Sequence, residues 1–219
     1  SDVCSSDLPV IFVHGGTGQG LDWMTTPDGR RGWALHFVEQ GYKVYVVDRP
    51  AQGRNPYFPD VHGPYPAQAP TFEQGVKNIA GSAAHTQWPG AIQVGDASIA
   101  QFMASQGPAL ADGAPAEVTW RFCGGKLLDE TGPAIFVTHG DGARFALVSA
   151  DERPALVKGI VALDIPAPFP PPARGGAGRP PALVGGRHRG PVQPAADRAD
   201  LPRPDGAPRA LRSEEHTSE

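Results

Sequence analysis

The first candidate site is a glycine-rich loop at residues 14–18 (HGGTG). It directly follows an apolar run at residues 9–13 (PVIFV), which is typical of a buried strand. Glycines at the carboxyl end of a strand let backbone N–H groups face a cleft, as an oxyanion hole for acyl transfer requires. A plain tight turn would use the same glycines, so the motif alone leaves both interpretations open.

The same loop also invites a comparison with dinucleotide-binding proteins. Asp48 ends the next apolar run, where the acid that binds a ribose would lie. The glycine spacing, however, is G-x-G-x-G, whereas the dinucleotide fingerprint is G-x-G-x-x-G. The segment 21–32 also separates the glycines from the helix whose N-terminus would receive a pyrophosphate. These two differences favour the oxyanion interpretation.

The second candidate site is the segment 138–142 (THGDG). It lies between an apolar run at residues 134–138 (AIFVT) and a helical pattern at residues 144–150. Strand, sharp turn and helix in this order form the geometry of a nucleophile elbow, in which small residues flank a strained central position. His139 is next to this turn, where we expect it to pack or orient a neighbour and not to act as a base.

The third candidate is Asp164, the last residue of the apolar run 159–164 (GIVALD). A carboxylate at the end of a strand can orient a catalytic histidine and stabilise its charge. A lone aspartate at this place could also cap a helix or face solvent. The residue type alone therefore leaves its role open.

The elements that must position these residues follow a strand–helix–strand order. Apolar residues at helical spacing predict a helix at residues 33–40, between two apolar runs that predict strands. Buried strands separated by helices pair in parallel. The fold class is therefore α/β, with a mostly parallel sheet and helices on both faces. The predicted strands are residues 9–13, 42–48, 134–138 and 159–164.

A polar, proline-rich stretch at residues 50–70 is predicted to be a surface excursion without a regular helix or central strand. Weaker helical patterning follows at residues 72–122. Together they predict a lid-like insertion at about residues 50–122, within an α/β core at residues 9–169.

Composition limits the classes of partner. The chain has 219 residues, 40% hydrophobic and 19% charged, with a net charge of −4 that gives no reason to expect nucleic acid. No apolar run reaches the roughly 20 residues that a membrane span needs, so we expect a soluble protein with a small-molecule partner. Two cysteines, Cys4 and Cys123, are too few for a disulfide framework, and Cys123 is predicted to pack within a helix.

The two ends of the chain are related at the level of codons. Residues 1–8 (SDVCSSDL) and residues 212–219 (RSEEHTSE) can be encoded by the two strands of one DNA segment, which resembles a sequencing adapter. We therefore expect both ends to be non-native and the natural termini to be missing. Residues 170–211 are rich in proline, arginine and glycine, and we interpret them as out of frame or disordered.

Two longer stretches carry a family resemblance. HGGTGQGLDWMTTPDGRRGW, followed by GYKVYVVDRPAQGRNPY, resembles bacterial α/β-hydrolase esterases with an HGG loop, a TPDGR-x-GW segment and a D-x-x-GRG-like turn. The resemblance covers about residues 9–60 and 130–169. It implies an α/β-hydrolase fold, an ester-like small-molecule substrate, and chemistry that requires no metal or cofactor.

The resemblance also implies a role for each candidate residue. Gly16 would supply one oxyanion N–H, and the backbone N–H of Asp141 would supply the second. The elbow pattern small-x-Ser-x-small maps the nucleophile onto Gly140, which has no side-chain atom to attack a carbonyl. Asp164 would be the triad acid.

The resemblance implies that the chain as written is inactive. The triad order requires a histidine after Asp164, and the sequence offers only His188 and His216, so the base is not assigned. Two alternatives stay open. One is a non-catalytic protein that binds a small molecule in the same cleft. The other is an enzyme that uses Asp141 as nucleophile, like the dehalogenase and epoxide-hydrolase branches of the fold.

Overall fold

Within the described residues of the computed structural model, which are 8–65, 69–80 and 88–165, four parallel strands form one sheet. The strand order is β2-β1-β3-β4, so the first strand pairs with two neighbours that follow it in sequence. This arrangement confirms the predicted α/β class and all four predicted strands. The strands are β1 (Val10–Val13), β2 (Val44–Val47), β3 (Ala134–His139) and β4 (Val157–Leu163).

The central strand β1 is buried on both faces. Successive side chains of a strand point to opposite sides, so an entirely apolar strand must be covered twice. Ile11 and Val13 face a core formed with the helices on one side, whereas Val10 and Phe12 belong to a second core on the other side. The unbroken apolar run in the sequence therefore reflects two cores separated by one sheet.

The helices of the described ranges lie between and beside these strands. The predicted helices at residues 33–40 and 144–150 are both present, with slightly different ends. The helices are α1 (Trp33–Glu39), α2 (Pro59–His62), α3 (Phe72–Ala80), α4 (Ala97–Ser105), α5 (Ala114–Thr131) and α6 (Gly142–Glu152), with a 3-10 helix at Gly20–Trp23. None of these helices is both long and apolar enough to cross a membrane.

Helices α5 and α6 pack against each other on the first core. The Trp120 and Phe145 rings meet edge to face with centroids 5.4 Å apart, and Trp120 Nε1 donates to Ser149 Oγ at 2.8 Å. Cys123 lies on α5 but is exposed, so the prediction that it packs is wrong. The buried face of α5 is formed by Trp120, Gly124 and Leu128, and Cys123 lies beside this face, on the exposed flank of the helix.

The segment 50–70 contains a one-turn helix, α2, so the prediction that this stretch holds no regular helix is wrong. Pro59 occupies its first turn, where a missing N–H costs nothing because that group has no partner within the helix. The ring of His62 accepts the N–H of Phe58 at 3.1 Å, which closes the turn.

Helices α3 and α4 share a small apolar cluster of their own, formed around Ile79, Ile99 and Met103. The Asp96 side chain caps α4 by accepting the N–H of Ser98 at 2.9 Å. The lid-like role of residues 50–122 stays a prediction. The predictions for the two non-native ends, residues 1–8 and 212–219, and for residues 170–211 lie outside the described residues except for Leu8, as do the candidate histidines His188 and His216.

Candidate active site

The HGG loop, residues 14–18, leaves β1 at the carboxyl edge of the sheet, between the ends of β2 and β3. Gly15 packs directly against His139, because a β-carbon at this position would collide with the imidazole Nδ1. Gly142, the first residue of α6, is equally confined, since its β-carbon would lie 2.6 Å from the carbonyl oxygen of His14. Small residues therefore allow the loop and α6 to approach each other closely.

His14 is 1% exposed and holds the loop from within. Its Nε2 accepts the backbone N–H of Arg49 at 3.0 Å, so Nδ1 carries the proton and donates to the Gly15 carbonyl at 2.9 Å. Burial and the nearby Arg49 charge lower the pKa of His14 from 6.5 to about 4. The ring is therefore neutral at neutral pH, with both nitrogens occupied, and serves a structural purpose.

Arg49 directly follows β2 and is 6% exposed. Its Nη2 donates to the Gly15 carbonyl at 2.8 Å and also to the Gly16 carbonyl, and its guanidinium lies 5.3 Å from the centre of the Phe145 ring. Burial lowers the pKa of Arg49 to about 10, and the Asp141 carboxylate opposes that shift, so the side chain is charged at neutral pH. No local sequence pattern singles out this residue.

Gly140 forms the turn between β3 and α6 with a φ of +50°. A β-carbon placed on it would lie 3.7 Å from Gly15 Cα and 4.0 Å from Gly16 N, both ordinary contact distances. A side chain at this position would therefore fit and would project beside the HGG loop. The left-handed backbone is the conformation that glycine adopts most readily.

Asp141 precedes the first residue of α6 and has a φ of −59°. Its Oδ2 lies 3.5 Å from the position that a β-carbon of Gly16 would take, so the carboxylate faces the HGG loop. Asp141, Gly16 and Arg49 line a cavity of about 230 Å³ between the loop and α6.

Asp164 follows β4, beside the end of β3, and adopts a φ of +49°. Its carboxylate lies 3.7 Å from His139 Nε2, although the Asp164 side chain is 89% exposed. The structure therefore brings Gly16, Gly140, Asp141 and Asp164 together at one edge of the sheet, with His139 among them.

Asp48, the residue that suggested a dinucleotide site, is bound within the protein. Its carboxylate is 7% exposed and accepts the Gly20 N–H at 2.6 Å and Arg54 Nε at 2.8 Å. The glycines lead into the 3-10 helix Gly20–Trp23 and not into an α-helix. The Asp48 carboxylate thus holds two loops in place, which removes the main support for a dinucleotide-binding site.

A cavity of about 580 Å³ opens between the HGG loop and α4. Two hydrogen bonds connect the HGG loop to the end of α4. The Gly107 N–H donates to the Thr17 carbonyl at 2.7 Å, and Thr17 also bonds Gln106. The cavity is lined by residues of the HGG loop and the segment after it, by His139, and by Trp88, Gln101, Phe102, Ala104, Ser105 and Gln106. A ligand in it would lie beside the turn at Gly140.

Comparisons with known proteins agree with this fold. No protein-family model matches the chain. Over 166 residues, 73% of this chain and 45% of the relative, it is 39% identical to the probable secreted lipase phiG of Fungal sp. (strain ATCC 74256). The chain thus spans less than half the length of that relative.

Among solved structures, the chain is similar to one titled the atomic resolution structure of a novel bacterial esterase. The TM-score is 0.52 at 19% identity, covering 74% of this chain and 54% of that chain, so this likeness concerns the fold alone. The chain is thus similar in sequence to a probable secreted lipase and shares its fold with a bacterial esterase.

Proposed function

We propose that this chain belongs to an ester-hydrolysing lineage and, as written, binds an ester-type small molecule without hydrolysing it. The observation that carries the proposal is Gly140. It occupies the left-handed turn between β3 and α6, where an esterase of this fold would carry its nucleophilic serine, and it has no side-chain oxygen.

The binding half of the proposal rests on two backbone donors. Within the described part of the chain, neither the Gly16 N–H nor the Asp141 N–H donates a hydrogen bond to another residue. Gly16 N lies 4.0 Å from the β-carbon position of residue 140, and Asp141 stands at the N-terminus of α6, where the helix dipole favours negative charge. An ester carbonyl or a carboxylate could accept both donors.

The loss of turnover follows from the missing nucleophile. In a subtilisin-type triad, removal of serine or histidine costs on the order of 10⁶ in turnover, because the members act as a unit. Asp164 would be the acid of this lineage, but with glycine at position 140 there is no serine for a histidine to activate.

The competing assignment makes Asp141 the nucleophile. The backbone argues for Gly140, because Gly140 has a φ of +50° whereas Asp141 has a φ of −59° and begins the helical conformation. The Asp141 carboxylate also lies toward Gly16 and Arg49, away from the open cavity beside His139.

The experiment mixes the full chain with p-nitrophenyl butyrate and records both binding, by tryptophan fluorescence, and release of nitrophenolate. We expect saturable binding with no release above the protein-free rate. The substitution Ala104→Trp, which places a large ring in the 580 Å³ cavity, should abolish binding. The matched control Ala100→Trp lies on the same helix, exposed and outside the cavity, and should leave binding intact. Absence of binding by the unsubstituted chain would contradict the proposal.

A further inference from the structure

We infer that Arg49, assisted by His14, is a positioning residue that aims the Gly16 N–H at the ligand, an inference that rests on the proposed oxyanion role of Gly16. The sequence resemblance assigned no function to Arg49. Its side chain bonds the Gly15 carbonyl and lines the 230 Å³ cavity together with Gly16 and Asp141, and it does not line the 580 Å³ cavity.

One peptide plane connects Arg49 to the Gly16 N–H. The carbonyl of Gly15 and the N–H of Gly16 belong to the same planar trans peptide unit, so they point in opposite directions. Arg49 Nη2 and His14 Nδ1 both donate to the Gly15 oxygen, at 2.8 and 2.9 Å. Two hydrogen bonds to the Gly15 carbonyl oxygen fix the orientation of this peptide plane. The Gly16 N–H, at the opposite end of the same peptide unit, is therefore directed away from Arg49.

Arg49 also contacts the helix that follows the Gly140 turn. The Arg49 guanidinium also packs over the Phe145 ring of α6, the helix that begins directly after Gly140 and Asp141. Arg49 therefore contacts both the loop that holds one oxyanion donor and the helix that holds the other. It fixes the spacing of the two donors as well as the direction of one.

Burial and charge make the arrangement rigid and polarised. Arg49 is 6% exposed and His14 is 1% exposed, so water does not compete for the Gly15 carbonyl. A cation on the carbonyl end of a peptide draws electron density toward that oxygen, which makes the N–H at the other end a stronger donor. A purely structural residue would not have this effect on Gly16.

The test uses the full chain labelled with ¹⁵N and sodium butyrate as the probe. In the unsubstituted chain, we expect the amide protons of Gly16 and Asp141 to move downfield with one shared affinity. In Arg49→Met, butyrate should bind roughly tenfold more weakly, and the Gly16 amide should lose its downfield shift while the Asp141 amide keeps its own. Arg49→Lys retains the positive charge and one donor nitrogen, so its butyrate affinity and its Gly16 amide shift should be intermediate. It takes the place of Arg49→Met in the test if the methionine variant does not fold.

The matched control is Arg144→Met. Arg144 lines the same 230 Å³ cavity but pairs with Glu117 at 3.2 Å and does not bond the HGG loop, so this variant should respond like the unsubstituted chain. No response at either amide in the unsubstituted chain would overturn the proposed function and this inference with it. A normal Gly16 response in both Arg49 variants, with binding retained, would overturn this inference alone.

Discussion

Gly140 faces Gly16 across the carboxyl edge of the sheet, with the β-carbon position of residue 140 at 4.0 Å from the Gly16 nitrogen. A side chain added at this turn would therefore project beside an N–H that no other described residue accepts. If residue 140 occupies the nucleophile position, as we propose, the turn keeps a backbone donor beside it and lacks the atom that would attack an acyl carbon.

We expect Gly140→Ser to fold, because the added β-carbon meets nothing closer than 3.7 Å. Its cost is that of a non-glycine residue at a φ of +50°, about 1–2 kcal/mol in the free energy of unfolding. Urea unfolding followed by tryptophan fluorescence measures this difference.

Gly142→Ala provides the contrast two residues later. Its β-carbon would lie 2.6 and 2.7 Å from the carbonyl oxygens of His14 and Val13, so α6 must move away from β1. We expect a loss of about 3 kcal/mol or more, larger than that of Gly140→Ser. Equal losses for the two variants would mean that the elbow is not confined as described.

The sequence predicted most readily what depends on local pattern. The apolar run of β1 predicts a strand because it is buried on both sides, and the glycines near residue 140 predict a turn because they tolerate its backbone. The one-turn helix α2 escaped prediction because proline normally ends helices and here begins one.

Contacts between distant segments were harder to predict. Arg49 reaches the carbonyls of Gly15 and Gly16, more than thirty positions earlier in the chain, and no local spacing encodes such a pairing. The approach of His139 to Asp164 likewise depends on the β3–β4 register, which places His139 opposite Leu163. Such relationships follow from sheet topology and not from a motif.

The pH dependence of stability should report His14. Its pKa is about 4 in the folded chain, against 6.5 for the free side chain, so the unfolded state binds more protons between these values. Neutral His14 therefore makes its full contribution to the free energy of unfolding above about pH 6.5, and this contribution is lost as the pH falls toward 4. The loss amounts to about 3 kcal/mol.

The measurement compares unfolding free energies of the unsubstituted chain and His14→Gln across this pH range. The difference in unfolding free energy between the unsubstituted chain and His14→Gln should narrow as the pH falls. Besides the Gly15 carbonyl, the groups that face His14 are Arg49, Asp48 and His139. A constant difference between the chain and His14→Gln would show that His14 does not titrate as described.

Ser149→Ala should destabilise the packing of α5 on α6. Ser149 is the acceptor for the buried Trp120 Nε1 at 2.8 Å, and its removal leaves that N–H without a partner. The expected loss is about 1–3 kcal/mol in the free energy of unfolding. Ser98→Ala, the same substitution on α4, should change stability by less than about 0.5 kcal/mol. Similar losses of unfolding free energy for Ser149→Ala and Ser98→Ala would contradict the stabilising role of the Trp120–Ser149 hydrogen bond.

The most direct test of the central claim is the rate of p-nitrophenyl butyrate hydrolysis by the full chain as written. The account predicts no release of nitrophenolate above the protein-free rate, because the residue at the elbow turn has no nucleophilic atom. Gly140→Ser alone should not restore release, since His14 has both ring nitrogens occupied and His139 packs against Gly15. Robust release by the unsubstituted chain, abolished by Asp141→Asn, would contradict the account and make Asp141 the nucleophile.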